Sequence, residues 1–214
     1  MNEGNDVLAK KEELNLWTSI WTKPRETVRY AIDHKSMKFA IILVVIAGVF
    51  DMLNAASQNN MGNSMSVSKI LLFSVVLGPL LGLIGWWIAA GIATFVGTWF
   101  GGEGRFAELK MAFAIAYIPV ILGGLFWIPD LLILGEHLFN DEISISGLTL
   151  IWQLLSGLIG IVIGVWGFII TVLAVAEAHK FSGWRGFWTV VIPSVLIVII
   201  LSIFFLPFLL LLFV

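Results

Sequence analysis

Long runs without a single charge alternate along this chain with short polar clusters. Phe39–Ala56 is apolar apart from Asp51 and Asn54, and Ile70–Gly102 carries no charge at all. Met111–Pro129 carries none either, and that run resumes after Asp130 to Leu134. Ile143–Ala176 and Gly186–Val214 complete the set. A helix needs roughly 20 apolar residues to cross a hydrocarbon core about 30 Å thick. The pattern therefore predicts an all-α, polytopic membrane bundle of five transmembrane helices.

Two of the runs exceed one crossing. The second contains Gly78-Pro79, where proline removes a backbone donor and is expected to kink or break the helix. The residues before it are then either the first part of one kinked span or a separate interfacial or re-entrant piece. Pro119 and Pro193 are the kink candidates of the third and fifth spans. The fourth span is expected to start near Leu148, with Ile143–Gly147 in the preceding loop. Gly82, Gly85, Ala89, Ala93 and Gly97 recur at helical spacing, as do Gly157, Gly160, Gly164 and Gly167. Small residues on one face permit close backbone packing, so the second and fourth spans are expected to form the interior.

Composition supports lipid as the solvent. Of the 214 residues, 12% are charged, against about 25% in soluble domains. There is no cysteine, which excludes disulfides, thiolate metal sites and thiol nucleophiles. Charge placement then sets the orientation. The N-terminal tail holds Lys10, Lys11, Lys23, Arg25, Arg29, Lys35 and Lys38; the Gly101–Lys110 loop holds Arg105 and Lys110; the Glu177–Arg185 loop holds Lys180 and Arg185. The opposite side has only Lys69, and its Gly135–Gly147 loop carries Glu136, Asp141 and Glu142. By the positive-inside rule the N-terminus is cytoplasmic and the C-terminus outside.

No apolar leader precedes the basic tail, so residues 1–38 are expected to be a retained cytoplasmic segment. Leu14, Leu16, Trp17, Ile20 and Trp21, then Pro24, Val28 and Ile32, describe an interfacial amphipathic helix there, with Arg25, Arg29 and Lys35 reaching anionic headgroups. Residues 39–214 form the transmembrane domain. Trp86, Trp87, Trp99, Trp127, Trp152, Trp184 and Trp188 mostly fall near span ends, the place of an aromatic belt.

Both hairpin loops on the basic side carry Gly and Arg followed by an aromatic: Gly104-Arg105-Phe106, and Gly183-Trp184-Arg185-Gly186-Phe187. Phe113 with Pro119 and Phe187 with Pro193 share one spacing, which suggests a parallel repeat. Glu103, Arg105 and Glu108 in one loop, and Glu177 and His179 in the other, are candidates to bind a protein partner or a cation if the hairpins pack together. Asp51, with Asn54 one turn on, is the sharpest intramembrane polar position, because a carboxylate in a span is costly; it is expected to reach the outer interface or a partner on a neighbouring helix, with a proton or ion pathway as the alternative. Asp130 follows Pro129 and is expected to cap a new helical segment. Ser156 has no histidine at its depth. No catalytic constellation, metal-ligand spacing or phosphate-loop signature is present, so neither enzyme activity, cofactor, metal nor nucleic-acid binding is expected.

Several segments together resemble the Yip family of membrane proteins, named for interaction with Ypt/Rab GTPases. Trp17-Thr18-Ser19-Ile20-Trp21-Thr22-Lys23-Pro24-Arg25-Glu26-Thr27 looks like the family's bacterial branch, as do Gly101–Leu109 and Glu177–Ser182. Gly78-Pro79-Leu80 and Ala116-Tyr117-Ile118-Pro119 resemble family elements of the second and third spans. The resemblance implies five helices, a cytoplasmic N-terminus, a bacterial cell membrane, and a role in organising membranes through protein partners. The expected function is thus a scaffold or adaptor that recruits protein or lipid partners through cytoplasmic loops, with self-association permitted by the glycine-lined faces. The alternative is a small ion or solute transporter or channel using Asp51.

Overall fold

The computed structural model describes residues 14–141 and 147–211, with side chains described to residue 203 in the last helix. Lys10, Lys11 and Glu142 lie outside the described residues. Two short helices, α1 (Leu16–Ser19) and α2 (Pro24–His34), precede the membrane segments. They are followed by α3 (Met37–Gln58), α4 (Val67–Trp99), a third span in three pieces, α5 (Phe106–Ala116), α6 (Ile118–Gly124) and α7 (Trp127–Ile133), then α8 (Gly147–Ala178) and α9 (Gly183–Leu211). Among the described residues, five helical segments are long and apolar enough to cross a membrane.

The helix ends are set locally. Ser36 starts α3, its hydroxyl accepting from the Phe39 N–H at 3.4 Å. Arg105 starts α5, where the Glu108 carboxylate reaches back to the Arg105 N–H at 2.9 Å. Two long helices stop in the same way. At the end of α4 the Gly102 N–H reaches the Gly97 carbonyl and the Gly101 N–H that of Thr98, with Gly101 at φ +75°. At the end of α8 the Phe181 N–H reaches Ala176 and the Lys180 N–H reaches Glu177, with Lys180 at φ 57°. Both are paired-bond stops with a left-handed residue just past the helix. The Gly/Arg/aromatic likeness of the two hairpin loops therefore has a backbone counterpart.

The likeness does not extend to the prolines. The third span breaks at Tyr117, which ends α5 and begins α6 with Pro119 in the first turn. The fifth runs unbroken through Pro193. Nor does Pro79 break the second span, since α4 is one helix of 33 residues with Pro79 inside it; no separate interfacial piece precedes it. Neighbouring helices make such a proline tolerable in a membrane. Gly78 sits directly against Gly48 of α3, where a Cβ on Gly78 would approach the Gly48 carbonyl carbon to 2.9 Å. The same crossing admits Gly82, whose Cβ would lie 3.0 Å from the Gly48 Cα.

The interior is not where the glycine spacing placed it. Half of the third span is buried, against 28% of the fourth and 17% of the second. Leu109, Ala112, Ala114 and Ile115 of α5 are fully enclosed, because alanine-rich faces let α2, α3, α4 and α8 close around them. Gly157, Gly160 and Gly164 face open space, with nothing within 4 Å of a Cβ. The outer faces of α8 and α9 are apolar and exposed, as in Leu154, Ile161 and Val198, which suits hydrocarbon as their solvent.

Candidate functional site

At the charged end, three segments distant in sequence meet on the α8–α9 loop. His179 is 1% exposed and sits between the ends of α4 and α8. Its Nε2 bonds the Ala93 carbonyl at 3.0 Å and its Nδ1 accepts the Gly104 N–H at 3.0 Å. With a carbonyl on one nitrogen and an N–H on the other, the ring is neutral and protonated on Nε2. Phe181 stacks on it at 5.0 Å between centroids. Gly97, Gly102 and Gly104 line the ring, and a Cβ on any of them would collide with it. Burial holds the imidazole below its ordinary value of 6.5, against the opposing pull of the Ala93 carbonyl and the Glu108 charge.

Two residues earlier, Glu177 receives α2. Arg29 Nε donates to Glu177 Oε1 at 2.9 Å, with Arg25 NH1 3.8 Å from Oε2. Arg29 NH2 also donates to the Glu177 backbone carbonyl, and Arg25 to that of Phe181 at 3.4 Å. Val28 and Ala31, on the apolar face of α2, are fully buried. So α2 lies on the bundle, and Arg25 and Arg29, expected at lipid headgroups, are turned to the α8–α9 loop instead.

The other candidates at this end are more exposed or locally engaged. Glu103 lies 3.9 Å from Lys180 with three quarters of its side chain in solvent. The Glu103 N–H also bonds the His179 carbonyl at 3.2 Å. Arg105 is 82% exposed in its side chain and 3.1 Å from Glu108, which completes the cap of α5. The structure thus brings the two hairpin loops together through the imidazole and the backbone rather than through a cluster of carboxylates. Among the described residues no group of three or more His, Cys, Asp or Glu is placed to hold a metal ion.

A second polar site lies at the other end of the bundle. A cavity of about 550 Å³ runs between α3, the broken third span and α8, and Asp51, Asn54 and Asp130 all line it. Asp130 does not cap α7, which has no side-chain cap. Its carboxylate turns to α8, taking the Trp152 Nε1–H at 2.9 Å and the Ser156 hydroxyl at 2.8 Å. Trp152 is therefore a hydrogen-bond donor inside the protein, like Trp86, which donates to the Lys110 carbonyl at 2.8 Å. Trp87, Trp99 and Trp184 remain outward-facing, as a belt requires. Sequence reasoning missed the Asp130 pairing, although Trp152, Ser156, Gly160 and Gly164 recur every fourth residue on one face of α8.

Among the described residues, five apolar helical segments, of which the third is half buried among the others, closed at one end by a charged cap, define an integral membrane protein of the polytopic helical class. The model of the Yip1 domain matches residues 18–206, nearly the whole chain, and the protein belongs to that family. The match includes α2 as well as the spans. No curated protein and no solved structure matches the chain.

Proposed function

We propose that this protein is a non-enzymatic membrane scaffold that recruits a protein partner to the cytoplasmic face through its charged end. The observation that carries this reading is the joining of α2, the α4–α5 loop and the α8–α9 loop into one surface by His179 and Glu177. A preorganised surface loses less conformational entropy on binding than three independent loops. Its outward charges include Glu103, Arg105 and Lys180, with Lys23, Glu26 and Arg185 beside them, so a partner segment of mixed charge is the fitting occupant. Glu177 and Glu108 support the surface from beneath. In-cell crosslinking with affinity capture tests this, comparing wild type with a Glu103→Lys, Arg105→Glu, Lys180→Glu variant. Loss of a specific partner with unchanged membrane insertion supports the scaffold; an identical capture profile overturns it.

The second reading, ion or solute movement through Asp51, draws on the cavity that gathers Asp51 with Asp130. Its test is flux in proteoliposomes, where wild type must conduct and Asp51→Asn must not.

A further inference from the structure

We propose that the cavity between α3, the broken third span and α8 is a binding site for an organic ammonium group, carried by a lipid headgroup or by a free amine. Its volume, about 550 Å³, falls within the range of about 300–1,000 Å³ usual for small-molecule sites. That is far more room than a bare metal ion needs.

The lining selects for positive charge. It contains two carboxylates, Asp51 and Asp130, the amides of Asn54, Asn60, Asn140 and Gln153, and the imidazole of His137, with neither Lys nor Arg. Asp130 accepts from donors on both oxygens, the Trp152 indole and the Ser156 hydroxyl, which turn it toward α8. Asp51 makes no hydrogen bond or ion pair to any described residue, although it sits within a membrane-spanning helix. A carboxylate at such a position is costly unless something pairs with it. The indole of Trp127 also lines the space and offers a π face to a cation.

Backbone features point to the same place independently. The third span is interrupted between α6 and α7 at Leu125 and Phe126, and Phe126 lines the cavity with Gly123, Gly124 and Trp127 on either side of the break; breaks at membrane depth are tolerated where they are buried or line a cavity. On the facing wall Gly157, Gly160 and Gly164 supply no side chains. Larger residues there would fill the space, since nothing lies within 4 Å of a Cβ. The glycines of the fourth span keep the cavity open rather than packing helices together.

The test uses the full chain in a non-ionic detergent, with binding followed by isothermal titration calorimetry. The probes are ethanolamine, dihexanoyl phosphatidylethanolamine and, as the amine-free control, dihexanoyl phosphatidylglycerol. Saturable binding of an amine probe is expected, weakened about 10-fold or more by Asp51→Asn, the loss of one charge-assisted contact. Gly160→Leu, which retains both carboxylates, is expected to abolish binding by occlusion. Saturation by ethanolamine as well as by the lipid identifies a soluble amine as a sufficient ligand; saturation by the phosphatidylethanolamine alone identifies a lipid headgroup. Equal affinity for the phosphatidylglycerol overturns the proposal. So does the absence of saturable binding by either amine, or unchanged affinity in either variant. Because the scaffold surface lies at the opposite end of the bundle, its own test is unaffected by these outcomes.

Discussion

Gly104 donates its backbone N–H to the Nδ1 of His179 at 3.0 Å, and the bond closes the two hairpin loops on each other. It exists only while that nitrogen is unprotonated, because a proton on Nδ1 would set two donors face to face. Burial lowers the folded-state pKa of His179 below 6.5, so the unfolded chain takes up the proton first as pH falls. The contribution to stability is therefore full above about pH 6.5 and is lost progressively below it. Thermal unfolding in detergent between about pH 8 and about pH 5 should show a steeper loss in wild type than in His179→Gln. The nearby Glu103, Glu108, Glu177 and Lys180 are retained in both and cancel in the comparison. Equal slopes would mean that the imidazole does not titrate with unfolding.

The room for that ring comes from glycine. Gly97→Ala sets a methyl against the His179 imidazole, with the ring Cδ2 only 2.7 Å away, and overpacking of a closed site costs about 1–3 kcal/mol. Gly85→Ala on the same helix meets nothing within 4 Å and should gain up to about 1 kcal/mol from helix propensity. Unfolding midpoints of the two variants should thus move in opposite directions.

The spans were legible because hydrocarbon imposes a length and a composition, and both are written in the charge-free runs. Helix breaks were less so. Pro79 and Pro119 have the same local chemistry, yet α4 continues through one and the third span stops near the other. Beside Pro79 the backbone of Gly48 packs directly on Gly78; nothing in the structure explains why the third span stops at Tyr117 beside Pro119. Glycine spacing was ambiguous as well. Gly48 and Gly78 bring two backbones together, Gly97 and Gly104 house a histidine, and Gly160 faces an opening. His179, Glu177 and Asp130 were visible as candidates, but their partners Gly104, Arg29 and Trp152 lie 75, 148 and 22 positions away. No local pattern encodes such pairings.

Docking of α2 rests on Arg29 and Glu177, about a quarter exposed each. Arg29→Ala removes two charge-assisted bonds to Glu177, together worth at least about 1.5 kcal/mol in such a setting, so local opening of α2 should rise roughly 10-fold or more. The chain has no cysteine, and Val28, fully buried under α2, can report that opening as Val28→Cys. Maleimide labelling of Val28→Cys should be slow, and faster by about 10-fold or more when Arg29→Ala is added. An unchanged rate would show that apolar burial alone holds the helix.

The same absence of cysteine makes the membrane orientation directly measurable. Eleven of the twelve basic residues fall in the tail and in the two loops gathered around His179, and only Lys69 lies on the other side. By the positive-inside rule such a bias is expected to keep the positive segments in the cytoplasm, and His179 and Glu177 tie α2 and the two loops into one surface. Ser182 lies exposed in the α8–α9 loop, and Ser64 lies exposed in the α3–α4 connection at the opposite end. With a membrane-impermeant maleimide on intact cells, Ser64→Cys should label and Ser182→Cys should label only after permeabilisation. The reverse result would put the charged platform outside the cell and exclude a cytoplasmic partner. It would also turn the cavity lined by Asp51 and Asp130 toward the cytoplasm, where the amine it meets would come from the inner leaflet or from the cytosol.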